Sequence, residues 1–401
     1  MAVHPHPQTT RELIRKTGRQ EGMGTRSSVC RLIRDLDEPF DPHTDATHTT
    51  EFREQPADLN AEVYGTIQKK LSQGFEPLCF LESTNQCKPG IVRAHAIQEA
   101  LIREIAVKGH VLQFNVYQRH SPQQEHRNWP TLVGVDCATT FTGFCSYHDN
   151  QIFLPIENSP FTPTPESCFL YAYRALCARL YDAKYKFELV NAQAAALRAS
   201  GQTNLHLIER NIAANALDTE EILTIKTKWD GCLTSRDFSS FDHLALSCPY
   251  TPSIIGTSFF APRKNFDYTF AQDTKSKRFL KWVSMSVLPL KDGRGLVLIS
   301  SEKKNPVWVR FTESLLTYPP EKRTMAVVNY MVPYFGTQLI IGPSWWGQLP
   351  NESQEAIVTP GTHVTTHATS KGCATGDHCY PSTGHRQQHP PPGTDHNWNA
   401  R

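Results

Sequence analysis

No apolar run in this sequence approaches the roughly 20 residues that a membrane-spanning helix needs, so no span is expected. Net charge is almost absent: 41 Lys and Arg stand against 39 Asp and Glu, a formal +2. A strongly basic composition would point to nucleic acid, and this balance leaves no such footprint. Also missing are a glycine-rich phosphate loop, a nucleophile elbow and a dinucleotide fingerprint, which removes the commonest nucleotide-dependent and serine-hydrolase readings. Thr142-Gly143 and Lys108-Gly109 read as ordinary turn or cap signals. No long apolar stretch follows a basic one near the first residue, so no secretory signal is read. Apolar residues make up 39% of the chain, slightly low, so part of it is expected to lie outside any core. There is no internal repeat.

Cysteine, by contrast, is plentiful: eleven residues, an odd number, scattered along 401 positions. A chain of this length can hold two or three domains and a core that is stable without disulfides. A reducing, cytoplasmic setting is therefore expected, and there clustered Cys and His more often bind metal than form disulfides. The informative run is Cys79-x7-Cys87-x7-His95, then, after a long gap, Cys145-x2-His148-Asp149. Thiolate and imidazole are the ligands zinc selects, and a structural site takes four in a tetrahedron. Cys79, Cys87, Cys145 and His148 supply four, and His95 is left over to do chemistry. The competing reading is a scatter of buried Cys and His, with His95 a hydrogen-bonded histidine at a helix start. Cys168, Cys177, Cys232 and Cys248 read as small core residues.

The pattern along the chain gives an α+β fold. Residues 1–58 read as a disordered arm, with at most a short helix over Ser28 to Leu36, and 351–401 as a disordered, His-containing tail. A module over 59–160 opens with a short amphipathic helix (Val63, Ile67, Leu71) and a turn near Asn85. A second helix follows over Ile97 to Val107, ended by Gly109. Leu112, Phe114 and Val116 alternate as a strand, and Leu132 to Val135 form another; Ser121 to Pro130 is a polar loop. Residues 161–230 read as a helical hairpin. Its first helix starts at Thr164-Pro165-Glu166 and stops at Ser200-Gly201, and its second runs through Leu205, Ile208, Ile212 and Leu217. Residues 231–350 read as a β-rich domain. Strands are expected at Val283 to Leu288, Leu296 to Ser300, Val307 to Phe311 and Ala326 to Val332, with a hairpin turn at Lys291-Asp292-Gly293-Arg294.

A ligand pair on a turn, followed much later by a tight pair opening a helix, is the plan of a treble clef finger. Gly143-Phe144-Cys145-Ser146-Tyr147-His148-Asp149 reads as its second half, with Cys145 and His148 facing one metal from the first helical turn. Here the sequence resembles the HNH endonuclease family, whose ββα-metal nuclease site is built on this finger. The resemblance covers Cys79 to Glu157, about a fifth of the chain. It implies His95, within Ala94-His95-Ala96-Ile97, as general base. Thr140 stands where the family has an asparagine. Asp149 stands where it has the histidine that ligates a catalytic Mg²⁺ or Mn²⁺, and Ala94 where an acidic residue is common. The Ala-His, Phe-Cys-x2-His-Asp and Trp-Trp segments are also similar to a group of bacterial proteins, which implies a bacterial source and no activity.

The expected function is therefore hydrolysis of phosphodiester bonds by an HNH-like, metal-dependent nuclease acting on DNA or RNA. The alternative is a zinc-stabilised binding or scaffold protein without catalysis, of the kind found in bacterial defence. Asp136 and Glu157 are near enough in sequence to assist Asp149, and His110 reads as structural. Phosphate contacts would have to come from elsewhere. Arg263-Lys264 and Lys275 to Trp282 interleave cations with aromatics, and Phe279 and Trp282 could stack on bases. The competing reading is a solvated charged edge with both rings turned inward. Trp345-Trp346 reads as a lid over the sheet.

Overall fold

The computed structural model describes residues 78–81, 87–114, 129–157, 160–199, 201, 205–273, 280–358 and 396–398. The expected arm over 1–58, the helix near Val63, the turn at Asn85 and the loop over 121–128 lie outside them, as do Phe279 and most of the tail. The described part is mixed helix and sheet, as an α+β chain should be. It falls into two compact units, one holding Leu180–Lys228, the other holding Pro77–Arg179, Trp229–Thr274 and Arg278–Arg401. No helix among the described residues is long and apolar enough to cross a membrane.

In the larger unit the chain runs β1 (Ile91–His95), α1 (Glu99–Arg103), β2 (His110–Gln113), β3 (Thr131–Gly134), β4 (Thr140–Cys145) and α2 (Ser146–Glu157). Two long helices follow, α3 (Pro165–Ala199) and α4 (His206–Ser235), and both pass through the boundaries of the two units. Thr164 caps α3: its hydroxyl accepts from the Ser167 N–H at 3.1 Å. Gly201 stands just past its end with φ +82, in the left-handed region where glycine costs nothing. In the Leu180–Lys228 unit, the two helices are joined across their turn by an Arg198–Glu209 ion pair at 3.3 Å.

Beyond α4 come β5 (Phe241–Cys248), β6 (Ile254–Phe260), β7 (Val283–Pro289) and β8 (Gly295–Glu302). The Lys291–Arg294 turn forms between β7 and β8 as its sequence predicts: Leu290 N–H bonds the Arg294 carbonyl at 2.8 Å and Gly293 has φ +83. The next two apolar runs are helices, α5 (Pro306–Leu316) and α6 (Pro320–Tyr334), not the strands expected at 307–311 and 326–332. The reason lies at their starts. Asn305 accepts from the Val307 and Trp308 N–H groups at 3.0 and 3.2 Å, and Pro306 and Pro320 fit first-turn positions. Runs of five or seven residues do not reveal their period; Trp308, Phe311, Thr312 and Leu315 together do. The chain continues through β9 (Leu339–Ile341), α7 (Pro343–Trp346) and α8 (Asn351–Val358), then β10 (His396–Trp398). Part of the stretch read as a disordered tail is thus ordered.

Eight strands form one antiparallel sheet in the order β10-β5-β8-β7-β6-β9-β2-β3. Alternate residues of its strands, among them Leu244, Leu246, Met285, Val287, Val297 and Ile299, enter a core completed by Phe311 and Leu315 of α5 and Val327 and Met331 of α6. The other face carries polar groups that bond in pairs, Thr257 with Ser286 and His243 Nδ1 with Ser300, both at 2.8 Å. Trp282 and Trp345 are buried, so neither is a free stacking surface. β2 and β3 come from the stretch 59–160 yet extend a sheet built mainly from 231–350. The smaller sheet, β1 with β4, is therefore a hairpin held open by an excursion into the larger one.

Candidate metal centre

Four side chains distant in sequence meet where the small hairpin passes into α2. The ligand atoms of Cys79, Cys87, Cys145 and His148 all lie within 4.8 Å of one another. His148 Nδ1 faces the sulfurs of Cys79, Cys145 and Cys87 at 3.2, 3.3 and 3.5 Å. A tetrahedral zinc with Zn–S of about 2.3 Å and Zn–N of about 2.0 Å has S···N edges of about 3.5 Å. These residues can hold a metal ion. The donor set itself, three sulfurs and one nitrogen, is soft.

Local folding explains the convergence. Cys145 is the last residue of β4 and pairs with Ile91; Ser146 opens α2, so His148 lies in the first helical turn. The Phe80 N–H donates to the Gly143 carbonyl at 2.8 Å, which pins the Cys79 turn to β4. Thr142 and Gly143 together oppose Arg93, a bulge in the pairing. That extra residue brings both Phe141 and Phe144 into the interior, where Phe144 meets Phe80, Phe141 and Phe153 edge-on at 6.0, 6.0 and 5.4 Å. The ring of Phe80 crosses Gly143 so closely that a Cβ there would lie 2.5 Å from it.

The electrostatics also ask for a cation. Cys87 is exposed as a residue, yet desolvation of its sulfur, then hydrogen bonding and charge from Cys79 and the charge of Cys145, push its thiol up to about 12. Cys145 moves the other way. Desolvation alone would raise it, but the His148 and Lys88 N–H groups, the Cys79 thiol and the Tyr147 N–H outweigh that and hold it below the ordinary thiol value. Three thiols sharing one site cannot all ionise unless a positive ion joins them.

His95 closes β1 directly opposite Thr140 of β4. Its Nε2 lies 3.0 Å from the Val135 carbonyl, so Nε2 carries the hydrogen. In the neutral ring Nδ1 then holds the lone pair, and it takes no bond among the described residues. Thr140 donates its hydroxyl to the Cys137 carbonyl at 2.9 Å and so ties the turn that enters β4. Asp149 is partly buried, and its Oδ1 has no hydrogen-bond partner among the described residues. Burial raises its pKa, the Arg174 cation opposes that, Glu157 adds to it, and His95 opposes it again. Glu157 does not stand beside Asp149 as a free carboxylate, because it bonds Arg174 at 2.5 Å. His110 is exposed and bonds the Lys108 carbonyl at 2.9 Å.

Arg174 is a participant that the sequence reading missed. It lies on α3, 2% exposed, with its guanidinium 4.0 Å from the centre of the Phe153 ring. Its Nε and Nη1 have no partner among the described residues. Arginine inside the apolar run Phe169 to Leu180, at 174 and 179, was the available signal, since arginine is almost never fully buried without a charged partner. No family model, no curated protein and no solved structure matches the chain.

Proposed function

We propose that the chain is an HNH-like, metal-dependent phosphodiester hydrolase built on a treble clef finger. The observation that carries this reading is a histidine at the end of β1 whose Nδ1 takes no bond among the described residues, in a hairpin whose other strand ends in the Cys₃His cluster and leads into a helix with a carboxylate oxygen that has no hydrogen-bond partner among the described residues. In this reading Cys79, Cys87, Cys145 and His148 hold Zn²⁺, which does no chemistry and fixes β1 against the start of α2. Binding at such sites contributes on the order of 10 kcal/mol to folding. His95 takes a proton from the attacking water at Nδ1, and its bond to Val135 sets the tautomer. Thr140 holds the turn opposite His95. Asp149 offers the hard oxygen that Mg²⁺ or Mn²⁺ selects. Such an ion, when bound, supplies stabilisation of the charge that builds on the transferring phosphate.

A second reading, a metal-stabilised binding module without catalysis, has its own support. The buried Arg174 cation acts on Asp149 and works against a divalent ion there. The two readings separate in one assay: plasmid and RNA incubated with the protein and Mg²⁺ or Mn²⁺, beside a His95→Ala variant. Cleavage that His95→Ala abolishes supports the enzyme. Cleavage that survives the substitution, or none with either ion, overturns it.

A further inference from the structure

The connection from β6 to β7, residues 261–282, concentrates charge that the rest of the chain lacks. It holds six Lys and Arg against two Asp, in a protein whose whole net charge is +2; Lys275, Lys277 and Arg278 lie outside the described residues, which hold Arg263, Lys264 and Lys281 with Asp267 and Asp273. Its first half is a tightly built turn. The Asn265 N–H donates to the Thr269 carbonyl at 2.8 Å, the Tyr268 N–H to the Asn265 carbonyl at 3.0 Å and the Ala271 N–H to the Arg263 carbonyl at 2.9 Å. Phe266 points inward, 3% exposed, with its ring 4.5 Å from that of Phe311. The Tyr318 and Tyr330 hydroxyls donate to the Phe266 and Lys264 carbonyls at 3.0 and 2.8 Å. Gln272 bonds the Pro262 carbonyl at 3.1 Å and both backbone groups of Lys281 at 2.8 and 2.9 Å, which brings Lys281 to the same place as Arg263 and Lys264.

This rigid turn presents two aromatic rings to solvent: Phe270 is 79% exposed and Tyr268 is 52% exposed. Tyr268 also has φ +66, a left-handed conformation that a bulky side chain adopts only at a cost. A core has no use for either ring. Lys264 is bridged opposite Phe270, and exposed rings on a fixed backbone with cations close by are the arrangement that binds unpaired bases while following a phosphate chain.

We propose that Tyr268 and Phe270, with Arg263, Lys264 and Lys281, form a binding platform for single-stranded nucleic acid. The proposal deepens the nuclease reading by naming its substrate class, and it stands even if the finger is catalytically silent. Trp282, whose sequence position suggested stacking, is buried and takes no part.

The test is fluorescence anisotropy with the full chain and labelled 12-nucleotide oligo(dT), oligo(U) and a duplex, without divalent cations so that cleavage cannot intervene. Single strands should bind more tightly than duplex, and the two single-stranded probes decide between DNA and RNA. Phe270→Ser and Tyr268→Gly should each weaken binding about tenfold. Tyr268→Gly should leave the thermal midpoint unchanged or higher, because glycine relieves the positive φ. Affinity should fall with salt at a logarithmic slope of about 2 for three phosphate contacts on a single strand. Binding that neither substitution alters, equal binding to duplex, or no binding to any probe overturns the proposal. So does capture of anionic lipid vesicles through the same two rings without capture of oligonucleotide.

Discussion

Substitution of Gly143 by alanine tests how the Cys₃His cluster is put together. A methyl group there would lie 2.5 Å from the Phe80 ring and 2.9 Å from the Phe141 ring. Phe141 is buried and cannot retreat; Phe80 can, but its backbone stays pinned to the Gly143 carbonyl. The ring must therefore swing off Phe144, losing an edge-on contact of roughly 0.5–1.5 kcal/mol. The remaining overlap carries the usual overpacking cost, bringing the sum to about 2 kcal/mol. Phe80 follows Cys79 directly, so this strain falls on the ligand turn. Metal binding and folding of such a module are linked, so about 2 kcal/mol lowers metal affinity about 30-fold. Competition against a chromogenic chelator, titrated with Zn²⁺ and Co²⁺, measures that ratio. Affinity within about threefold of the unsubstituted protein would refute the reasoning, because the Cys79 turn would then be independent of the bulged strand.

His243 is 5% exposed, and burial, then the Lys303 cation, lower its pKa from 6.5 to about 4. The unfolded chain therefore takes that proton first, so stability is full above about pH 6.5 and falls by about 3 kcal/mol as pH drops towards 4. Urea unfolding across that window should show the loss, and His243→Gln should flatten it; an unchanged slope in the variant would assign the titration elsewhere. Asn305→Ala removes the cap of α5 and two further bonds, to the Trp282 carbonyl at 3.1 Å and the Ser301 hydroxyl at 2.6 Å. It should cost about 2 kcal/mol in the same assay, and a loss below about 0.5 kcal/mol would contradict the capping role.

Side chains whose partners are local could be read from the sequence; those whose partners are distant could be read only where ligand chemistry joins them. Cys145 and His148 sit three apart at a strand-to-helix junction, and ligand chemistry alone joins them to Cys79 and Cys87. Helix α3 announces both its ends, Thr164-Pro165 and Gly201. Arg174 stayed hidden because its neighbours Phe153 and Glu157 belong to a different helix, and spacing within α3 says nothing of them. β2 and β3 were visible as strands, but not the pairing of β2 with β9 inside the large sheet, which joins Leu112 to Ile341 and Gln113 to Ile340. Nothing in the sequence sets Tyr268 and Phe270 apart from Phe266, since only the folded turn decides that Phe266 goes in while those two go out.

The claim on which the account rests is that three sulfurs and one imidazole surround a single ion. Elemental mass spectrometry of the full chain, purified without added metal, tests it most directly, with Co²⁺ exchange to report geometry. One zinc per chain and a tetrahedral thiolate Co²⁺ spectrum are expected, both lost in Cys145→Ser and both kept in Cys168→Ser. Zinc far below one per chain, or zinc retained after Cys145→Ser, would contradict it.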